Sequence, residues 1–332
     1  MKTILHLVPK MHFGGTESVV INLIESIGCH RHIVVTHRSK RCARVIASGG
    51  EIQIVEDDLE ELRRKVEERK PNLVIHHWYS DGSNSMDHYS NLKTPKVVVI
   101  HTIDVPLPSY VHGHEYVAVS KLCKMTNTHL SKVRLIPNAI RNLSTSLPAR
   151  IRRNEVNLVK VARAFPERFS EKLFQMLGNL LDLPWQLTLV LGDGPLIPKI
   201  KYWISKYQLC NRTNIIVDIE DVSAVLSDMD IYLDYNACFC KEAWGIAISE
   251  ALAHGLLVIG HQRGAINEQI THNINGILVN SDLEFSFFLR KFIQNYDDSM
   301  KIRTRAAELA NCSSKIDKFK KGYNGLIEEI IG

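Results

Sequence analysis

Over the first 140 residues, short apolar and β-branched runs alternate with segments whose apolar positions recur at helical spacing. Residues 3–8, 33–36, 52–55, 73–76, 97–101, 116–119 and 133–136 read as strands. Between the first two, Val19, Val20, Leu23, Ile24 and Ile27 fall on one helical stripe, and the charged stretch 57–70 reads as an exposed helix that Pro71 ends. A second series places strands at 156–162, 187–191, 215–217, 231–235, 256–259 and 277–279, with helices over 171–181 and 281–295. Such alternation predicts parallel sheets flanked by helices, so the fold class is α/β with two Rossmann-like, doubly wound halves. Between the halves, residues 142–155 lose periodicity and carry Ser, Thr, Pro148, Arg150, Arg152 and Arg153, as a linker does.

A chain of 332 residues is comfortable as two domains of ordinary size. No stretch reaches the roughly 18 uninterrupted apolar residues of a membrane span, and the opening residues read as a first strand because their apolar run is too short for a signal sequence. Seven cysteines, at 29, 42, 123, 210, 238, 240 and 312, show no Cys-x-x-Cys pairing and fit reduced thiols in a cytosol. Cys238 and Cys240 lack a second ligand pair, and His112 with His114 lacks a third ligand, so no metal and no other cofactor is expected. The net charge of +5 is modest, and no alternation of basic and aromatic residues points to nucleic acid.

Chemistry concentrates in residues 241–255, where Glu242 and Glu250 stand seven residues apart around Gly245 at a loop-to-helix junction. A helix beginning near Gly245 leaves its first-turn N–H groups without intrahelical partners. Its dipole adds about half a positive charge there, enough to hold a diphosphate. The flanking carboxylates can accept hydrogen bonds from sugar and ribose hydroxyls, and Gly255 suits a left-handed cap. Two glutamates at this spacing also occur on ordinary solvated helices.

The segment resembles the Glu-x7-Glu signature of retaining glycosyltransferases of family 4 (glycosyl transferases group 1), whose GT-B fold sets two Rossmann-like domains facing across a cleft. The resemblance implies that Glu242 meets the donor sugar, Gly245 and Ile246 the phosphates, and Glu250 the ribose. Residues 12–18, with Gly14, Gly15 and Glu17, resemble the family's Gly-Gly-x-Glu loop, which reaches toward donor phosphate and acceptor. His101, at a strand's carboxyl end with Asp104 following, resembles the active-site histidine that contacts the transferred sugar. His76 and His77 end another strand, and adjacent strand residues face opposite sides, so at most one shares the site of His101. Arg163 matches the first diphosphate-binding cation, while Arg168 replaces the family's lysine and Phe169 its glycine. Gly192 opens the family's glycine-aspartate-glycine-proline turn, Ile219 is a candidate for the base beside Asp218 at a usual glycine, Ala139 also replaces a glycine, and Glu268 stands at a usual glutamate.

On this resemblance, residues 1–145 form the acceptor-side domain, 146–315 the nucleotide-sugar domain, and 316–332 a last helix packing back on the first; an ordinary packed helix is the alternative. The implied reaction is retaining, metal-independent transfer from a UDP- or GDP-sugar to a saccharide or lipid-linked acceptor. Bacterial surface polysaccharide or lipopolysaccharide synthesis at the cytoplasmic face of a membrane is the implied setting. Basic clusters at Arg38, Lys40, Arg41 and Arg44 and at Lys121, Lys124, Lys132 and Arg134 are candidates for contact with an anionic membrane, or plain charged surface. The oligomeric state is not readable. Arg168, Phe169, Ala139 and Asp218 leave open a nucleotide-sugar-binding partner without transfer, and an epimerase or synthase of the same fold is a further reading. A nicotinamide dehydrogenase fits poorly, because neither half has the full glycine fingerprint and its downstream acid.

Overall fold

The computed structural model describes residues 1–40, 42–54, 59–79, 94–140, 155–237 and 241–332. Contacts divide the chain into two compact units. The first comprises Met1–Arg141, Lys241–Ile246 and Ser314–Gly332; the second comprises Asn142–Cys240 and Ala247–Ser313. Arg41, Cys238 and Cys240 lie outside the described residues.

In the first unit the elements run β1 (Thr3–Leu7), β2 (Lys10–Met11), α1 (Gly15–Ser26), β3 (Arg31–Thr36), β4 (Arg38–Ser39), α2 (Cys42–Ala47), β5 (Gly50–Ile54) and α3 (Leu59–Arg69). They continue with β6 (Leu73–Trp78), β7 (Lys96–Ile100), β8 (Glu115–Ala118), α4 (Lys121–Thr126) and β9 (Val133–Leu135). Seven strands form one parallel sheet in the order β5-β3-β1-β6-β7-β8-β9. Its central strands β6 and β7 are buried along their whole length, and β7 reads as a nearly continuous apolar run. Val8, Val34, Val20, Ile21 and Ile24 pack together, so α1 covers one face, while Leu5, Leu7, Ile33, Val35 and Val74 pack with Val66 of α3.

The second unit runs β10 (Val156–Arg163), α5 (Glu171–Gly178), β11 (Trp185–Gly192), α6 (Ile197–Lys206), β12 (Thr213–Val217), α7 (Val222–Leu226), β13 (Ile231–Asp234), α8 (Ile246–Ala253), β14 (Leu257–His261), β15 (Ile277–Val279), α9 (Asp282–Gln294) and α10 (Met300–Ala310). Its six-stranded parallel sheet has the order β12-β11-β10-β13-β14-β15. The core between that sheet and its helices holds Trp185, Phe174, Trp203 and Phe285. The last helix, α11 (Ser313–Ile331), completes the first unit: Phe319, Tyr323, Leu326 and Ile327 are buried with Val97, Val99 and Val117.

Each strand expected from the apolar pattern is present, with ends shifted by a few residues. The pattern missed the two-residue pair β2 and β4, which is too short to show any period. The helix expected over 171–181 stops at Gly178, where the Asn179 N–H turns onto the carbonyls of Gln175 and Met176.

Candidate functional site

Within the first unit, the β1–α1 connection and the start of α8 adjoin. Gly14 is the N-cap of α1 in extended conformation, and the buried Glu17 folds its carboxylate back over it. Gly15, the first residue of α1, faces the Ile246 side chain, whose Cγ1 lies 3.6 Å from where a Cβ on Gly15 would stand. Ile246 is itself the first residue of α8, so the N-termini of two helices meet at this contact. Gly245 and Ile246 are buried and Glu242 is half-buried. Ala243 and Trp244 anchor the segment on the apolar core around Phe319 and Tyr323. Asp104 is exposed.

His101 follows β7, and its N–H continues the ladder to the Trp78 carbonyl at 2.9 Å. Its Nε2 lies 3.2 Å from His77 Nδ1. His77, not His76, is therefore the neighbour that shares its side of the sheet. Contacts continue inward, from His77 Nε2 to His6 Nδ1 at 3.2 Å, from His6 Nε2 to His32 Nδ1 at 2.9 Å, and from His32 Nε2 to the Ile27 carbonyl at 3.1 Å. His6, His32 and His77 are fully buried. Burial lowers the pKa of His101 to about 3. Burial first, and then the neighbouring imidazoles, hold His6 and His77 well below the usual range; burial also lowers His32.

In the second unit, Arg163 ends β10 opposite Gly192 at the end of β11, and its guanidinium lies over the Phe165 ring at 5.5 Å. Arg168 is half-buried near Asp234, whose carboxyl is raised by burial, an effect that Lys160 and Arg168 oppose. Phe169 is buried in the core, with the Lys160 ammonium 5.1 Å from its ring centre. Asp218 has a left-handed backbone (φ 54°), and its Oδ1 accepts from the Asp193 N–H at 2.9 Å. Ile219 follows it, half-buried. Glu250 lies near enough to the buried Tyr232 to help raise that phenol, after burial and Asp234. The Asn236 amide accepts from buried Lys160 at 3.1 Å and donates to Asp234 at 2.9 Å, a polar cluster the sequence did not announce.

The end of α8 is fixed within the second unit. The Gly255 N–H reaches the Leu252 carbonyl and the Leu256 N–H the Ala251 carbonyl, with Gly255 left-handed (φ 66°), as in a Schellman cap. Arg303 and Asn311 then donate to the carbonyls of Gly255 and Ala253. The turn after β11 is equally constrained: a Cβ on Gly194 would run into the Ala164 carbonyl, with Ala164 C only 2.6 Å away. Backbone atoms on both sides leave nothing free to yield. Gly194→Ala is therefore expected to cost about 2 kcal/mol or more and to lower the melting temperature by several degrees, as calorimetry would register.

Among the described residues no group of three or more His, Cys, Asp or Glu side chains is arranged to hold a metal ion, and no helix is long and apolar enough to cross a membrane. His114 Nδ1 accepts from the Lys96 N–H at 3.0 Å. Cys29, Cys42, Cys123, Cys210 and Cys312 are free thiols.

No curated relative matches the chain by sequence. Solved structures share its fold along nearly the whole length. Anabaena Alr3699/HepE, in complex with UDP and glucose, superposes with a TM-score of 0.82 at 14% identity, over 99% of this chain and 100% of that one. A glycosyltransferase from Rickettsia africae gives 0.77 at 17% identity, over 99% and 98%. WaaG, a glycosyltransferase involved in lipopolysaccharide biosynthesis, gives 0.73 at 16% identity, over 97% and 100%. The fold is thus that of GT-B glycosyltransferases, and residues 148–309 match the model of the glycosyl transferases group 1 family.

Proposed function

We propose that the protein transfers a sugar, with retention of anomeric configuration, from a nucleotide-diphosphate donor to a saccharide or lipid-linked acceptor. The observation that carries the reading is the meeting of two helix N-termini, α1 at Gly15 and α8 at Ile246. The positive dipole ends of the helices there favour a diphosphate, and favour it more as charge builds on the leaving group. Within the second unit, Arg163 and Arg168 are the cationic groups read as donor-binding. The acceptor oxygen forms a bond to the anomeric carbon as the bond from that carbon to the β-phosphate oxygen breaks. The acceptor proton passes to the departing phosphate. Glu242 and His101 orient the sugar, Glu250 holds the ribose, Gly192 and Ile219 lie toward the nucleotide, and Gly14, Glu17 and Asp104 face the acceptor.

HepE holds UDP and glucose, and WaaG takes part in lipopolysaccharide synthesis. A UDP-sugar and a surface-polysaccharide or lipid-linked acceptor, met at the cytoplasmic face of a membrane, are accordingly the first choices here. The departures from the family pattern do not argue for a binding-only protein. Phe169 fills core space, the Ala139 carbonyl accepts from Asn22 of α1, and Asp218 satisfies the Asp193 N–H.

A panel of UDP- and GDP-sugars tests the reading. The true donor at a hundred times its Kd should stabilise the native state by about 2.7 kcal/mol, and adding acceptor should yield a glycoside whose anomeric configuration matches the donor's. Melting curves unmoved by every member of the panel, with no product, would end it.

A further inference from the structure

Four histidines of the first unit, His32, His6, His77 and His101, form a diagonal across neighbouring strands of one sheet. The register pairs His32 of β3 with Ile4, two residues before His6 of β1. It pairs Ile75 of β6, two residues before His77, with His6, and Val99 of β7, two residues before His101, with His77. Each step thus moves one strand across and two residues along, which keeps all four rings on one face within reach of their diagonal neighbours. Successive ring centres lie 5.2, 5.5 and 5.4 Å apart, with the planes 27°, 26° and 22° from parallel.

The inner end of this row decides the protons of the whole. Ile27 caps α1, and its carbonyl can only accept, so His32 Nε2 must donate to it. A neutral imidazole has one N–H, so His32 Nδ1 then accepts, and His6 Nε2 must donate to it. The same step makes His77 Nε2 donate to His6 and His101 Nε2 donate to His77. His101 is left with its proton on Nε2 and a bare lone pair on Nδ1. The row ends on a carbonyl and passes no proton onward, so it works as a fixed orientation rather than a conduit.

We propose that His77, His6 and His32 are positioning residues that hold His101 as the neutral Nε2–H tautomer, so that its Nδ1 accepts a hydrogen bond from a hydroxyl of the transferred sugar. This rests on the transferase reading for the role of Nδ1, but the tautomer itself is independent of it. Fixing the acceptor before the sugar arrives removes a ring flip and a tautomer exchange from the approach to the transition state. It also denies His101 a proton-donating part.

Ring nitrogen NMR of the uniformly 15N-labelled protein at pH 7.5 tests the tautomers directly. All four rings should carry their proton on Nε2; an Nδ1–H signal for His101 would overturn the proposal. In His77→Leu, His101 should populate both tautomers and kcat should fall about tenfold, the worth of one neutral hydrogen bond, while UDP affinity is unchanged. His77→Gln, whose amide keeps a donor and an acceptor, should recover much of the rate. A freed tautomer with unaltered kcat would refute the positioning role, as would a loss in both variants that tracks a loss of folded protein. Absence of transfer by the wild-type protein with every nucleotide sugar would instead refute the transferase reading, while the ring spectra still decide the tautomer.

Discussion

Replacing Glu242 by alanine is expected to lower turnover by about two to three orders of magnitude, the usual cost of deleting one preorganised polar contact to a transition state, while the protein stays folded. Glu242 lies half-buried in the segment Lys241–Ile246 of the first unit, where its neighbours Ala243 and Trp244 pack on the apolar core. The substitution therefore removes the carboxylate proposed to meet the donor sugar and leaves the apolar packing of Ala243 and Trp244 in place. Glu250 predicts a different signature. It stands within α8, whose C-terminal end is held by the Schellman cap and by Arg303 and Asn311, and it is read as the ribose contact. Glu250→Ala should then raise KM about tenfold, the value of one hydrogen bond, with kcat near wild type. Steady-state kinetics separates the two, and calorimetry confirms the fold. Equal kcat for wild type and Glu242→Ala would remove Glu242 from the reaction.

How much of this was legible in the sequence follows from which interactions are local. Strands buried on both faces betray themselves as apolar runs, so β7 and β14 could be found without knowing their neighbours. The start of α8 at Ile246 was readable because a glycine precedes an apolar helical stripe, and its end because Gly255 stands where a left-handed residue belongs. Asp218 was visible as a departure from a resembled glycine, but its reason was not. The position is left-handed, and aspartate, which tolerates that conformation better than most residues, adds a bond to the Asp193 N–H. The role of Phe169 likewise emerged only with the core around it.

The histidine row marks the limit. His6, His32, His77 and His101 are widely separated in the chain, and nothing in spacing alone relates them. They meet because β3, β1, β6 and β7 are adjacent and the register advances two residues at each step. A shift of one residue in any pairing would turn a ring to the opposite face. Sequence reading could say that only one of His76 and His77 shares the side of His101; register alone says which.

Lowering the pH from 7 to 5.5 is expected to destabilise the first unit steeply, before carboxylates begin to matter. Burial holds His76 and His101 at about 3, and pushes His6, His77 and His32 down as well, so the native state keeps these rings neutral. The unfolded chain protonates them near the ordinary value of about 6.5. With the native pKa below the unfolded one, the unfolded state binds more protons, so stability is full above about 6.5 and falls as pH drops toward the native values. At pH 5.5 each of the two rings at about 3 costs about 1.4 kcal/mol, so the pair costs about 3 kcal/mol. The other three act in the same direction. Against a total stability of about 5–15 kcal/mol, that is a large fraction. The acids held low by partners, Glu51, Glu171, Asp182 and Asp282, lose their contributions only nearer pH 4, and in the second unit His261 is the lowered histidine among the described residues. Calorimetry at pH 7.0 and 5.5 should therefore show the transition of the first unit falling well below that of the second, with several protons taken up as it unfolds. His77→Gln should reduce that uptake by about one proton. A first-unit transition that stays in place across this range would mean that the rings are protonated or solvated in the native state, and the row from Ile27 to His101 could not exist as drawn.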